Sequence, residues 1–193
     1  NIIIFYIFIR VLFYKFFKEQ NMARELFTSY VFIFFIYSFF GWLIEVCLKF
    51  IDFHRFVNRG FLVGPYCPVY GLGAVLIVTF TNGFSNKDHS RAHIFLISLL
   101  LCGLVEYLVS YFLEKRYKAR WWDYSTKPMN LNGRIWIGNL ILFGLGGLFI
   151  VELMNPLIMP IFYRMNLKYR MIFAILVLVL MLLDYIVSYF VMK

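Results

Sequence analysis

The chain has three cysteines, Cys47, Cys67 and Cys102, and no CxxC pair. An odd number without paired spacing argues against a disulfide framework and against a thiolate metal site. No GxxxxGK[ST] motif occurs, so the chain carries no P-loop and does not hydrolyse ATP by itself. HExxH and GxSxG are also missing, which makes an enzymatic role the weaker expectation. His89 and His93 stand four residues apart in "HSRAH", but no third ligand lies nearby in sequence, so no metal or cofactor is expected. There is no N-x-[ST] sequon, and no polar linker long enough to separate two domains.

Apolar residues take the space that these features leave. Of 193 residues, 63% are hydrophobic and 22% aromatic, more than a soluble domain of this size has core to hide. The apolar runs are continuous and approach the roughly 20 residues that cross a bilayer. Strands of an outer-membrane barrel would alternate instead. The expected fold is all-α, a polytopic membrane helix bundle in the cell membrane. The formal charge is +9, from 19 Lys and Arg against ten acids. These cations collect at the ends of the apolar runs, which suits interfacial anchors and the lipid bilayer as partner, rather than nucleic acid.

About five transmembrane helices are predicted, near 29–51, 66–82, 93–113, 135–154 and 170–192, with "MNPLIMP" as the turn after the fourth. Before them, residues 1–21 place Arg10, Tyr14, Lys15 and Lys18 at helical spacing. That reads as a basic amphipathic helix, or as a truncated hydrophobic one, ahead of a single bundle over 22–193. Let side A be where the first span begins. Side B then holds the loops at 52–65 and 114–134. Lys and Arg divide almost evenly between the sides, with a slight balance towards side B as cytoplasmic.

Spans one, three and five each contain one carboxylate, Glu45, Glu106 and Asp184. At 1.5 Å per residue all three lie about 9–12 Å below the side B boundary. A charge at that depth is costly unless it faces a partner or a polar cavity, so a shared depth suggests a shared polar site. The simpler alternative is ion pairing that locks the bundle, and for Asp184 this is the stronger reading. Side B supplies Arg59, Arg120 and Arg134 as partners, with Asp123 and Asn132 in the same connection as the last two. Glu45, Glu106, Arg59, Arg134, Arg120, Asp123 and Asn132 are therefore the candidate polar-site residues. The connection "RWWDYSTKPMNLNGR" should be ordered and folded onto the bundle's mouth, with Arg134 near Glu106 or Glu45. A faint tandem repeat accompanies this. "FFGWLIEV" and "LLCGLVEYL" both place Gly shortly before Glu, and each is followed by a basic aromatic loop and a "GLG" span.

Four stretches, "GWLIEV", "FVNRGFLVGPYCPVYGLGA", "EYLVSYFLEKRYKARWWDYS" and "NLNGRIWIGNLILFGLGGL", resemble the CmpB family over about residues 27–190. That family comprises bacterial membrane proteins labelled type IV ABC-transporter permeases. The resemblance implies a multi-pass permease subunit working with a separate ATPase, which residues 114–134 would contact. It brings no catalytic residue or substrate. Residues 1–21 fall outside it, which implies a natural start at Met22. Two other readings stay open: a non-catalytic membrane scaffold, and an intramembrane enzyme. In the enzyme, Glu45 and Glu106 would be acid and base, and the arginines would grip a lipid or isoprenoid phosphate.

Overall fold

The computed structural model describes residues 2–56, 58, 62–81 and 90–191, with side chains from residue 18 onwards apart from that of Asp52. Helix α1 runs from Ile2 to Phe53, α2 from Pro68 to Phe80 and α3 from Arg91 to Tyr117. A two-stranded hairpin, β1 (Asn130–Leu131) and β2 (Ile135–Trp136), leads into α4 (Ile137–Leu148). A π-helical segment, Phe149–Met154, joins α4 to α5 (Asn155–Arg164), and α6 (Leu167–Val191) follows. The fold is an all-α bundle of a membrane protein. Backbone N–H and C=O groups find no water among acyl chains, so continuous apolar runs satisfy them internally as helix.

Four segments are long and apolar enough to cross a bilayer: Lys18–Ile51, Arg91–Tyr117, Ile137–Arg164 and Leu167–Val191. Helix α2 is shorter. Its 13 residues reach about 20 Å at 1.5 Å per residue, less than a hydrocarbon core. The second predicted span is thus a short helix packed between α1 and α3.

The turn expected at "MNPLIMP" is not there, because helix continues through it. The Asn155 N–H bonds back five residues to the Ile150 carbonyl, and Pro156 then opens α5, where a missing N–H costs little. The π segment thereby absorbs the proline that would otherwise break the span.

Around the bundle, α6 packs on α1, α1 on α2, α2 on α3 and α3 on α4. Ile33 and Tyr37 of α1, Ala74 and Val78 of α2, and Met159 and Phe162 of α5 form one core, which closes the ring through α5. Val31 joins Ala174 and Val177 of α6 in a second. Helices approach closely where side chains are small. A Cβ on Gly71 would collide with the Phe34 carbonyl oxygen and Ser38 Oγ of α1, and one on Gly147 with the Ser98 side chain of α3. Outward residues such as Leu100, Leu142 and Leu180 are more than 60% exposed. An apolar exterior of this kind needs lipid around it.

Candidate functional site

Helix α3 carries Ser98, Cys102, Glu106 and Ser110 at four-residue spacing, so they share one face. Glu106 is only 8% exposed. Its Oε1 accepts hydrogen bonds from Asn139 Nδ2 at 3.0 Å and from the Tyr124 hydroxyl at 3.2 Å. Asn139 Nδ2 also donates to the Tyr124 oxygen at 2.7 Å, and Asn139 Oδ1 accepts from Trp136 Nε1 at 2.9 Å. Glu106 Oε2 is buried and has no hydrogen-bond partner among the described residues. On α1, Glu45 Oε1 accepts from the Tyr70 hydroxyl of α2 at 2.6 Å.

The two acids bear on one place. The Tyr124 phenol is pushed above its ordinary pKa by burial first, then by the charge of Glu106, with a further contribution from Glu45. Tyr124 and Asn139 gather on Glu106 and Tyr70 on Glu45, both towards the side B end of the bundle.

The cluster is built twice in the same way. Tyr70 is the third residue of α2 and Asn139 the third of α4, and each bonds the carboxylate of the preceding long helix. Neither helix start has a side-chain cap. The faint sequence repeat thus corresponds to a structural unit of long helix, loop and short helix that traps one carboxylate.

The loop after each long helix is pinned by a different acid. Asp184 of α6 holds the first. Its carboxylate accepts the N–H of Val63 at 3.2 Å, the N–H of Gly64 at 2.9 Å and the Tyr66 hydroxyl. Glu114, at the end of α3, holds the second. Arg120 Nε donates to Glu114 Oε1 at 2.9 Å, and Arg134 Nη2 to Oε2 at 2.5 Å. The Arg134 guanidinium also lies 5.7 Å from the Tyr107 ring and 5.6 Å from that of Tyr111.

The rest of the second loop closes on itself. Asn132 and Gly133 both adopt positive φ, 55° and 68°, as the central pair of a type I′ turn requires, and Arg134 N–H bonds the Leu131 carbonyl at 3.0 Å. Trp122 Nε1 donates to the Arg134 carbonyl at 3.0 Å, and Tyr124 N–H to that of Gly133 at 2.8 Å. Asp123 accepts the hydroxyl and the N–H of Ser125, which hold its carboxyl below the usual range, with Arg120 adding to this. Asn132 Nδ2 donates to the Tyr107 hydroxyl at 2.8 Å.

The candidate residues thus divide into two groups. Glu106 lies buried with Tyr124 and Asn139 and half-buried Glu45 with Tyr70, whereas Arg120, Asp123, Asn132 and Arg134 surround Glu114. Arg134 pairs with Glu114 instead of Glu106 or Glu45, because a hairpin turn, and not the first helical turn of α4, carries it. Tyr124 links the groups, with its backbone in the loop and its hydroxyl on Glu106. Arg59 lies outside the described residues. Among the described residues no three His, Cys, Asp or Glu side chains are grouped to hold a metal.

Sequence reasoning missed Tyr70, Asn139 and Glu114 as site residues and read Tyr124 only as an interfacial ring. A usable signal existed for Asn139. An amide two residues inside an apolar run needs a partner in the membrane, as a carboxylate does.

A family model described as "Putative ABC-transporter type IV" (ABC_trans_CmpB) matches residues 32–189. No curated protein and no solved structure matches the chain. The matched segment contains both acids, both pinned loops and all six helices in whole or in part.

Proposed function

The chain belongs to the CmpB family of type IV ABC-transporter proteins, and on that premise we propose that it is a permease subunit of the cell membrane that depends on a separate ATPase. In this reading the Glu45–Glu106 cluster receives a polar or cationic group of the transported species. The observation that carries it is the buried Glu106 Oε2, which has no hydrogen-bond partner among the described residues. A carboxylate kept only to lock helices together would have both oxygens bonded. A scaffold has no use for a buried oxygen left without a partner. In the enzyme reading Arg59, Arg120 and Arg134 would grip a phosphate; Arg120 and Arg134 are both bound to Glu114, and Arg59 lies outside the described residues.

The second loop supports an ATPase contact on side B. Met129 and Leu131 are 78% and 58% exposed at its tip, and Lys127 lies beside them above the Trp136 ring. Exposed apolar side chains with a cation beside them suit a protein surface better than open water. The experiment is affinity purification of the chain from its native membrane with ATP hydrolysis measured in the eluate. Replacing Lys127 with Glu and Met129 with Asp together should lower the copurifying ATPase activity by about tenfold, the scale of losing an interface anchor. Equal activity with the wild-type and double-variant baits would remove the loop as the contact. Absence of ATPase activity from both would remove the permease reading.

A further inference from the structure

On side A, at the opposite end of the bundle, Arg170 of α6 and Glu25 of α1 form an ion pair at 3.6 Å. Arg170 is 5% exposed and its guanidinium lies 5.4 Å from the Phe162 ring and 5.3 Å from the Tyr163 ring. The one acid beside Arg24 in sequence is thus paired with Arg170. Arg24 and Lys168 are exposed, and neither has an ion-pair partner among the described residues. Both line a groove of about 420 Å³ whose remaining wall is Leu167, Met171, Ile172 and Ile175.

The shape of the groove is the informative part. Its apolar wall follows α6 from Leu167 to Ile175, about 12 Å along the helix at 1.5 Å per residue. The cations stand at the aqueous end, where α6 begins with the Lys168 N–H capped by Asn166 Oδ1 at 2.9 Å. A helix start adds partial positive charge there. A free anion would have no use for the apolar wall, and a neutral lipid none for two unneutralised cations. We infer that this groove holds one anionic phospholipid, its phosphate between Arg24 and Lys168 and one acyl chain along Met171, Ile172 and Ile175. The site is separate from the carboxylate cluster and does not depend on the permease reading.

Native mass spectrometry of the full chain tests it, after exchange into micelles with phosphatidylglycerol or phosphatidylcholine at equal concentration. The wild type should retain one phosphatidylglycerol in preference to phosphatidylcholine. The Arg24→Gln, Lys168→Gln double variant leaves the Arg170–Glu25 pair intact and should lose that preference by roughly thirtyfold, at the scale of two basic residues meeting an anionic headgroup. Ile172→Trp keeps both charges but fills the groove, and should also reduce retention. Its side chain is 46% exposed, so a larger ring there does not disturb the core. Equal retention of the two lipids by the wild type would overturn the inference. So would undiminished phosphatidylglycerol binding by the charge variant. Loss in the charge variant with full retention in Ile172→Trp would also overturn it, by showing diffuse attraction without a seat for the chain.

Discussion

Replacing Glu114 with Ala should release the 118–136 loop while leaving the helices in place. Glu114 holds two arginines from opposite ends of that loop. Its pair with Arg134 is the stronger contact, since the Arg134 side chain is 13% exposed and Glu114 30%. Breaking a mostly buried pair strands the remaining charge, at a cost of about 2–3 kcal/mol. Arg120 sits in more water, so its share is screened. The readout is amide hydrogen exchange at Tyr124 and Arg134, whose N–H groups make the hairpin bonds to Gly133 and Leu131. A cost of this size corresponds to exchange about thirtyfold faster or more. Arg120→Gln should change it much less. Unaltered exchange in Glu114→Ala would mean that the hairpin and the aromatic contacts of Arg134 suffice to hold the loop.

Gly71→Val should be the most damaging single change in the membrane-embedded interior. A Cβ there meets the backbone oxygen of Phe34, which no side-chain rotation can move aside, as well as Ser38 Oγ. Helices α1 and α2 would have to separate, and over-packing of this kind costs about 1–3 kcal/mol, more where backbone is involved. The separation would also draw Tyr70, one residue earlier, away from Glu45. Gly146→Ala is the matched control, because a Cβ at Gly146 has nothing within 4 Å. Removing a helix-interior glycine there should stabilise by about 0.5–1 kcal/mol. Thermal unfolding in one detergent compares the two variants. A drop for Gly146→Ala as large as that for Gly71→Val would show that glycine flexibility, and not close approach, matters at these positions.

Composition and continuous apolar runs were enough to read the all-α membrane bundle, since lipid leaves the backbone few alternatives. That Glu45 and Glu106 lie within two long apolar helices was also readable from the sequence. What they bind was not. Tyr70 and Asn139 reach the acids from helix starts whose positions depend on how two loops fold, and loop paths are not periodic. Arg134 illustrates the limit. Its place before an apolar run suggested a helix start beside an acid, yet the Asn132-Gly133 turn aims it at Glu114. The fourth span shows another. Two prolines in "MNPLIMP" signal a break by local rules, and only the bond from Asn155 back to Ile150 shows how the helix passes through.

The central claim is that Glu106 and Tyr124, one from a span and one from a loop, belong to a single closed cluster. A double-mutant cycle on unfolding stability, with Glu106→Gln, Tyr124→Phe and both together, measures this directly. The account predicts a coupling of about 1 kcal/mol, the value of one hydrogen bond within a shared network. Additive effects, to within about 0.3 kcal/mol, would mean that the loop does not close over the acid.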